Sequence, residues 1–534
     1  MSAPIPAKQT LLDKAIAMVA PKYAKERATA RQDMALGGGY TGARIDRAAL
    51  SRWRVAGGSA NADTIRDLPT LRARSRDQMR NAPLALGALN TTVSHVVGTG
   101  LSYTPAISAA FLGLTQEAAD AWSTDTKFRF EAWAKSLDCE LGRRLNFYGV
   151  QDLVFRSMLE SGDNFVITPR VARAGRPARL ALQIVEADRV CNPNGAADTE
   201  TMVDGIELDA ATGEAVACHV ARQHPGDPRT KANEWDRVAM RGDSTGRRNV
   251  LHVFKPLRPG QVRGVPMIAP ILEPLRQLAQ WTDNELNAAV VSSLFSVFIK
   301  MDPDAFDDLF EQDAKEDIIA NASKWSGSME SGQAINLLPG ESIETSSPGR
   351  PNPAFDPFWC AIVRQIGMAL DLPFEVLTMH FQSSYSAARA ALLMAWKAFR
   401  ARRDMLSTYL CQPTFELWLA DEIAEGRISA PGFFSNDLVR AAWCAAIWTG
   451  DGPGSIDPAK EVTAARDRID LGISTKDAES ILHDGVGWQD KHTQRVKEIN
   501  AEKRDDIYLA PMGRVPGAAA PAKPAVPEPA EEAE

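Results

Sequence analysis

One pentapeptide in the chain has the residue types and spacing of a serine nucleophile. Residues Gly242 to Gly246, "GDSTG", fit the G-x-S-x-G pattern, in which a strained strand-to-helix turn exposes the serine hydroxyl. The sequence that follows, "RRNVLHVF", has the β-branched residues of a strand instead of the periodicity of a helix. We therefore predict a plain turn here, and Ser244 is not expected to act as a nucleophile.

Candidate metal ligands are few. Cys218, His219 and His224 lie close together, but Cys218 and His219 alternate on a predicted strand and no fourth ligand stands out. His252 lies in an apolar strand and is predicted to be a core residue with a satisfied side chain. We expect no metal and no cofactor. The cysteines form no C-x-x-C pair and are interpreted as reduced core thiols: Cys139, Cys191, Cys218, Cys360, Cys411 and Cys444.

An acidic run between residues 302 and 317, "DPDAFDDLFEQDAKED", suggests a cation site at first sight. It lacks the glycine and the spaced oxygen ligands of an EF-hand loop, so we favour a solvated helix face. The chain also contains no G-x-x-x-x-G-K-[ST] sequence and no G-x-G-x-x-G sequence after a strand. We predict that the protein is not an enzyme, and that another chain supplies the energy for any driven process.

Composition limits the class of protein further. A chain of 534 residues with a net charge of -8 is long enough for several domains and is a poor match to a nucleic-acid binder with a basic surface. The charge still permits a protein that lets a polyanion pass without gripping it. The longest apolar run, Ala288 to Ile299, is shorter than the roughly 18 residues that span a bilayer, so no membrane association is expected.

The N-terminal half of the chain predicts helices followed by strands. After a polar arm, helices are expected at residues 68–80 and, with Asn81 as N-cap, at 82–97. Helical spacing returns from 116 to 160, and short β-branched runs between about 164 and 256 predict a small, mostly antiparallel β region. Three arginines at every fourth position of the first helix are predicted to form a solvated face: Arg72, Arg76 and Arg80.

The C-terminal half is predicted to be mainly helical. An apolar stripe indicates a long helix from about Pro266 to Ile299, and a second helix is expected near residues 354–370. Between them, residues 302–349 are compatible with a small α+β insert. A separate helical module is expected at 430–507. The Pro/Ala/Glu-rich residues that follow Pro511 lack the means to bury a core and are predicted to be disordered.

A further helix, beginning at Ser383 and predicted to extend to about Glu425, mixes cations with apolar residues. At about 100° per residue, three arginines and a tryptophan project into the same sector: Arg389, Arg400, Arg403 and Trp396. Leu392, Phe399 and Leu410 flank this sector. A surface helix normally separates its apolar stripe from its charges, so the pattern indicates a helix that faces more than water.

Four stretches resemble the lambda-type portal proteins of tailed bacteriophages. They occur in the family's order and at similar spacing, over roughly residues 40 to 430. The stretches are "LRARSRDQMRNAPLALGALNTTVSHVVGTGL" (71–101), "LRPGQVRGVPMIAPIL" (257–272), "LLPGESIE" (337–344) and "SSYSAARAALLMAWKAFRARR" (383–403). The resemblance implies an α+β, predominantly helical fold with a wing, a two-helix stem, an inserted clip, a tunnel loop and a helical crown.

The resemblance also implies a function. Portal proteins of this type form a ring, usually of twelve subunits, at one capsid vertex, and double-stranded DNA enters and leaves through the central channel. The expected partners are other copies of the chain, the terminase large subunit, the major capsid or scaffolding protein and a head–tail adaptor. The expected location is the virion, after assembly in the host cytoplasm. The alternative is a non-catalytic DNA-binding or capsid scaffold protein without a closed ring.

The resemblance assigns each part of the chain to a subdomain. The expected bounds are an N-terminal arm at 1–60, wing at 61–265, first stem helix at 266–299, clip at 300–353, second stem helix at 354–371, tunnel loop at 372–385, long wing helix at 386–429, crown at 430–508 and disordered tail at 509–534. The residues expected to line the DNA channel are Met379, His380, Phe381, Gln382, Ser383, Ser384 and Tyr385. The family's loop usually carries Gly-Asp and then Asn, and this chain has "TMHFQSSYS" instead.

A ring offers one explanation for the mixed helix, because one side of it would then face a neighbouring subunit. On this interpretation the interface residues are Arg389, Trp396, Phe399, Arg400 and Arg403, with the arginines paired to a neighbour's carboxylates. In the other interpretation some of the arginines face DNA. We favour the interface, since each cation–phosphate contact adds affinity and a tightly bound polyanion does not slide.

Overall fold

The computed structural model describes residues 18, 20–23, 53, 55, 57–175, 179–228, 234–293, 297–301, 341–345, 353–381, 384–454, 457–505 and 507. The chain divides into two units, Met1–Thr64 and Ile65–Glu534. Helix α1 (Ala60–Thr64) belongs to the first unit. Most of the predicted arm, the whole acidic run and the predicted tail lie outside the described residues.

Helices form most of the second unit. Those before the β region are α2 (Leu68–Asn81), α3 (Pro83–Val96), α4 (Ala109–Leu112), α5 (Gln116–Lys135) and α6 (Phe147–Ser161). Side chains of Ser108, Thr115 and Asn146 accept hydrogen bonds from the first turns of α4, α5 and α6, as N-cap residues do. Asn81 was predicted to be the N-cap of α3, and this prediction is wrong. Ala82 is the N-cap, and Pro83 begins the helix.

Among the described residues, eleven further segments of helix follow the β region. They are a 3₁₀ turn (Ala269–Ile271), α7 (Leu272–Ser293), α8 (Phe355–Leu370), α9 (Phe374–Thr378), α10 (Tyr385–Leu406), a π-turn (Ser407–Cys411), α11 (Gln412–Ala424), α12 (Asp437–Trp443), α13 (Pro458–Asp470), α14 (Lys476–Asp484) and α15 (Trp488–Arg504). Helix α7 is shorter than predicted at both ends. The mixed helix continues to Ala424, which confirms its predicted length.

The described strands are all paired antiparallel. They are β1 (Ser102–Pro105), β2 (Asp163–Ile167), β3 (Gln183–Val185), β4 (Met202–Val203), β5 (Ile206–Leu208), β6 (Ala215–Ala221), β7 (Trp235–Ala239), β8 (Val250–Phe254), β9 (Val297–Met301), β10 (Glu341–Thr345) and β11 (Ala446–Thr449). One sheet has the order β3-β2-β8 and another the order β4-β5-β6-β7. The predicted antiparallel β region is confirmed.

The pairing of β1 with β11 brings side chains of both strands into the main hydrophobic core. Tyr103 on β1 lies opposite Trp448 on β11, and the two ring centroids are 5.7 Å apart. The ring of Tyr103 lies 4.3 Å from that of Phe415 on α11, and Phe130 on α5 lies 5.1 Å from Trp418. Aromatic residues from both ends of the second unit therefore share one buried cluster.

A buried ion-pair network joins helix α2 to the three-stranded sheet. Asp163, the first residue of β2, has no exposed side-chain surface and pairs with two guanidinium groups. Its Oδ1 lies 2.9 Å from Nη2 of Arg72, and its Oδ2 lies 2.6 Å from Nε of Arg263. Nε of Arg72 also donates to the carbonyl oxygen of Ser161 at 3.0 Å. The end of α6 and the start of β2 are thus both fixed to α2.

Arg263 is completely buried, and every nitrogen of its guanidinium group donates a hydrogen bond. Besides Asp163, it bonds to the carbonyl oxygens of Ala187 at 2.8 Å and Val190 at 2.9 Å. It also donates to the carbonyl and the carboxylate of Asp204, at 2.7 Å each. Burial alone lowers the pKa of Arg263, but Asp163 and Asp204 outweigh it and raise that pKa, so the guanidinium stays charged.

Two glycines allow the backbone to approach this network. Gly162 has φ of 96°, a conformation that favours glycine. A Cβ placed on Gly264 would lie only 1.9 Å from the carbonyl oxygen of Gly162. The peptide after Arg263 therefore packs directly against the turn before Asp163, and any side chain at position 264 would separate the two halves of the ion pair.

The prediction of a solvated arginine ridge on α2 is wrong for two of its three members. Arg72 is only 3% exposed and belongs to the buried network. Arg76 pairs with Asp188 and, at 3.1 Å, with Glu186, both beside the three-stranded sheet. Only Arg80 is exposed, as predicted. Helical spacing correctly placed the three side chains on one face, but that face packs against carboxylates instead of water.

Three other predictions for the β region are confirmed. His252 on β8 is a mostly buried residue with a partner, because its Nε2 lies 3.2 Å from Oδ2 of Asp163. Cys218 is fully buried on β6 while His219 points away towards Glu207. The "GDSTG" segment is a turn leading into β8, closed by a hydrogen bond from the Gly246 amide to the Gly242 carbonyl at 2.8 Å.

Replacing the central carboxylate should destabilise the fold strongly. Asp163→Asn leaves the two buried arginines without their shared charge, and removing one partner of a buried ion pair costs about 3–5 kcal/mol. We expect a loss of this size in the free energy of unfolding, measured by urea denaturation. The control Asp120→Asn, at an exposed position on α5, should change that free energy by less than about 0.5 kcal/mol. Equal stabilities for the two variants would contradict the role of the network.

His252 should make stability depend on pH. Burial lowers the pKa of His252, with the hydrogen bond to Asp163 opposing the shift, so the folded chain binds this proton less readily than the unfolded chain. Its contribution is complete above the ordinary histidine pKa of about 6.5 and is lost as pH falls below it, with a limiting slope of about 1.4 kcal/mol per pH unit. His252→Gln should therefore show a shallower loss of unfolding free energy between pH 7 and 5. A slope identical to wild type would rule this out.

Candidate functional site

The segment between α8 and α10 reverses the chain twice through left-handed residues. Asp371 has φ of 58°, and its amide donates to the carbonyls of Gly367 and Met368 at the end of α8. Met379 has φ of 54° and ends the short helix α9. Val376 and Leu377 of α9 are buried, so the first half of the predicted tunnel loop is a packed helical turn. The exposed loop is confined to the residues after Thr378.

The exposed loop carries no cationic lysine or arginine. Met379 is 73% exposed and Phe381 is 53% exposed, and the amide of His380 donates to the carbonyl of Glu375 at 3.2 Å. Ser384 is exposed at the start of α10, and its side chain makes no capping bond. Gln382, Ser383 and the side chain of Tyr385 lie outside the described residues. The described loop surface is apolar or neutral and offers a polyanion no lysine or arginine to bind.

Helix α10 contacts its own chain through most of the residues predicted for a subunit interface. Phe399 is 2% exposed and stacks on His95 with ring centroids 4.8 Å apart. Trp396 is partly buried against the same core and lies under the guanidinium of Arg403 at 5.2 Å. Leu410 is fully buried. The apolar residues of the mixed sector are therefore covered within the chain, and their burial needs no neighbouring subunit.

Arg403 donates three hydrogen bonds to backbone carbonyls. Its Nε lies 3.0 Å from the oxygen of Val96, and its Nη2 lies 2.9 Å from the oxygen of His95 and 3.0 Å from that of Asp451. Val96 is the last residue of α3, so the guanidinium lies at the negative end of that helix. Burial lowers the pKa of Arg403, and Asp451 opposes the shift.

Arg402, which lies outside the sector predicted from the sequence, makes the corresponding contact on another helix. Its Nη2 donates to the carbonyl of Leu370 at 2.8 Å and lies 3.1 Å from Oδ2 of Asp371, so it caps the end of α8. Two consecutive arginines project about 100° apart and thus hold the C-terminal ends of two different helices. The two adjacent arginines were visible in the sequence, but only Arg403 projects into the sector that was predicted to make contacts.

The remaining predicted interface residues are open to contact. Arg400 is exposed, and Arg389 is 42% exposed with its Nη1 3.6 Å from a carboxylate oxygen of Glu461 on α13. The exposed side of α10 also presents Leu393, 51% exposed, and Met394, 71% exposed. The predicted interface residues are therefore divided between this exposed side and the buried sector around Phe399.

A π-turn joins α10 to α11. Residues Ser407–Cys411 form it, with Leu410 and Cys411 fully buried. Isolated π-turns inside long helices are frequent at functional sites.

The six cysteines are unpaired. Four of them are buried, as expected of core thiols, whereas Cys191 and Cys360 are partly exposed, contrary to that prediction.

Among the described residues, one group has ligand types in metal-binding geometry. Glu186, Asp188 and His224 place one donor atom each within 4.8 Å of the others. Arg76 already pairs with both carboxylates, and the amide of Gly226 donates to Nδ1 of His224 at 3.0 Å. Nε2 of His224 lies 3.7 Å from a carboxylate oxygen of Glu186 and 3.6 Å from one of Asp188. The group is a branch of the ion-pair network and does not fit a cation.

The described helices include none that is both long enough and apolar enough to cross a membrane.

Comparison with known proteins identifies the family of this chain. Residues 46–403 match the family described as "Phage portal protein, lambda family". The portal protein of Escherichia phage N15 is 27% identical over 485 residues, which cover 86% of this chain and 88% of that protein. Portal protein B of Escherichia phage lambda is 25% identical over 470 residues, covering 84% and 87% of the two chains.

Chains from solved structures of gene transfer agent (GTA) particles also align with the chain. A chain in the neck of an empty GTA particle, computed with C6 symmetry, aligns with a TM-score of 0.40 and 14% identity, over 69% of this chain and 93% of that one. A chain in the virion of a native gene transfer agent particle gives the same TM-score and identity, over 71% of this chain and 93% of that one.

The family match spans more than half of the sequence and confirms the resemblance of the four stretches. This chain therefore belongs to the lambda family of phage portal proteins, which are components of the virion.

Proposed function

We propose that this portal protein forms a closed ring of about twelve copies at one capsid vertex, with a channel for double-stranded DNA. The observation that carries the proposal is the family match over residues 46–403. In this role the protein has no catalytic step of its own. It provides a passage during packaging and ejection and a docking site for the terminase large subunit, the head–tail adaptor and the capsid or scaffolding protein.

The order of elements supports the subdomains proposed for such a ring. Helices α7 and α8 are the proposed stem helices, and they contact each other through Trp281 and Phe355, whose ring centroids are 4.7 Å apart. Strands β9 and β10 pair antiparallel, from Val297 opposite Thr345 to Met301 opposite Glu341. This pairing joins the start of the proposed clip to residues 341–345 within it; residues 302–340 and 346–352 of the clip lie outside the described residues. Wing, crown and tunnel loop keep the bounds expected from the resemblance.

The exposed loop after α9 is the proposed contact with DNA. Met379, His380 and Phe381 offer apolar and aromatic surface without a lysine or arginine, and the chain has a net charge of -8. Salt-dependent affinity for DNA grows with the number of phosphates that cations neutralise. A loop of this composition touches a moving duplex without arresting it, which suits a channel better than a binding site.

The exposed side of α10 is the proposed contact between neighbouring subunits. Arg400, Lys397 and the half-exposed Arg389 supply charge there, next to Leu393 and Met394. A heterologous contact of this kind closes into a ring when each copy rotates by a constant angle. Phe399 and Arg403 contribute indirectly, by holding α10 against its own chain. The alternative scaffold function would leave this side of α10 free and would show as DNA binding by single copies.

The assembly state provides the first test. Twelve copies of a 58.1 kDa chain give a particle of roughly 700 kDa with a central hole, and native mass spectrometry with negative-stain imaging should show it. The control is the same measurement after mild denaturation, which should return the single-chain mass. Monomers that bind DNA with a steep salt dependence would favour the scaffold function instead.

The loop provides the second test. Replacing Met379–Ser384 by a two-glycine link should leave the ring intact, because the described residues of the loop are exposed and α9 remains packed. DNA packaging, measured as nuclease-protected DNA in a reconstituted reaction, should fall at least tenfold. As a matched control, the exposed turn at residues 209–214 is replaced by a glycine–serine sequence of the same length, which should leave packaging unchanged. Normal packaging by the shortened loop would contradict its role in the channel.

A further inference from the structure

The guanidinium of Arg403 is the meeting point of three parts of the chain. It lies on α10, it caps the carbonyl end of α3, and it bonds to the carbonyl of Asp451 at 3.0 Å. Asp451 follows β11 and begins the connection to the helices α13, α14 and α15, here called the C-terminal module (residues 457–505). Arg403 on α10 therefore contacts the segment that leads into the C-terminal module.

The start of the connection, residues 450–452, is tightly packed. A Cβ on Gly450 would lie 3.0 Å from Cζ of Arg403, and a Cβ on Gly452 would lie 2.4 Å from the carbonyl oxygen of Leu482 at the end of α14. Gly485, with φ of 78°, would place a Cβ 2.3 Å from the carbonyl oxygen of Gly450. The backbone of residues 450–452 thus lies between Arg403 on one side and the module on the other, with no room for an added side chain.

A second contact joins the beginning of α10 to the beginning of the module. Nη1 of Arg389 lies 3.6 Å from Oε1 of Glu461 on α13. The charge of Arg389 also helps to lower the pKa of Asp457, the N-cap of α13, after the larger effect of Lys460. Arg389 and Arg403 are 14 positions apart, about 21 Å along a helix. Helix α10 therefore contacts the module at two separated points.

The module depends on such contacts because it has little core of its own. None of the described residues of α13, α14 and α15 is buried. Large apolar side chains remain exposed on it, including Leu471 at 74% and Ile473 at 72%. Besides the contacts of α10, Lys127 on α5 pairs with Asp490 on α15 at 2.6 Å. Segments with few buried contacts open locally at low cost, so their position follows the contacts that hold them.

We propose that Arg403 couples the exposed loop residues 379–381 to the C-terminal module, so that a displacement of these residues moves α10 and, through Asp451, the module. In the sequence these residues come shortly before α10, a helix of 22 residues. That the displacing partner is DNA rests on the proposed channel function; the coupling itself is a property of one chain. The coupling would transmit a displacement of the loop to the C-terminal module.

Arg402 supplies a matched control for this coupling. It lies next to Arg403 on the same helix and likewise bonds to the end of a neighbouring helix, but its partners are Leu370 and Asp371 at the end of α8. Substituting either arginine by methionine removes one long cation and keeps similar apolar volume. Only the change at 403 removes a contact with the connection to the module.

Hydrogen–deuterium exchange on the full-length, assembled protein tests the coupling. In Arg403→Met, the amides of residues 458–484 should exchange about tenfold faster than in wild type, because hydrogen bonds from a charged donor are lost. In Arg402→Met those amides should exchange as in wild type, while exchange rises in residues 355–378. Unchanged exchange of the module in Arg403→Met, or an equal rise in both variants, would overturn the proposal.

A double-variant experiment measures transmission directly. Replacing Met379, His380 and Phe381 by glycine should alter exchange in the module when Arg403 is present and leave it unaltered in the Arg403→Met background. If Arg403→Met fails to fold, Arg403→Lys keeps the charge with fewer fixed donors and should weaken the transmitted effect. A loop change that never reaches the module overturns the coupling, even in a protein that forms rings and packages DNA. Transmission in a protein that forms no ring would uphold the coupling and reject the channel.

Discussion

The carboxylate of Asp163 constrains the arrangement of the whole N-terminal half. A charge with no exposed surface is tolerated only when opposite charges and hydrogen bonds surround it, and here two guanidinium groups do so. Arg72 and Arg263 come from segments on either side of β2 in the sequence, so α2, β2 and the chain after β8 have to meet at one point. Apolar surfaces alone would tolerate some sliding between these elements, whereas a buried carboxylate between two arginines does not.

The same principle recurs at the helix ends in the second half. A helix terminus leaves carbonyl groups without partners, and a buried arginine is a strong donor for them. Arg402 and Arg403 use this to fix α10 to the ends of α8 and α3. Apart from the contact of Arg402 with the carboxylate of Asp371, these bonds go to backbone atoms, so they depend mainly on the position of each helix end. Position 402 or 403 therefore accepts lysine poorly, since an ammonium offers no planar fork.

Sequence periodicity predicted most elements correctly, because it reflects which side of each segment is apolar. It predicted the antiparallel β region, the length of the mixed helix and the buried environment of His252. It failed for Arg72, since the spacing of arginines shows that they share a face but not that Asp163, 91 positions away, lies opposite. Arg403 is a similar case, with partners at His95 and Asp451. Strand β1, "SYTP", has no alternation to detect.

The pairing of β1 with β11 bears on how the chain is made. Ser102 lies opposite Thr449, so a nascent chain leaving the ribosome holds one half of the aromatic cluster long before the other half exists. Closing a loop of this length is slow, and Tyr103 and Phe130 remain uncovered until then. Synthesis that stops before Ala446 yields a polypeptide with an open core and an unpaired strand edge, which is prone to aggregate. Folding of the aromatic cluster therefore depends on synthesis that proceeds past Thr449.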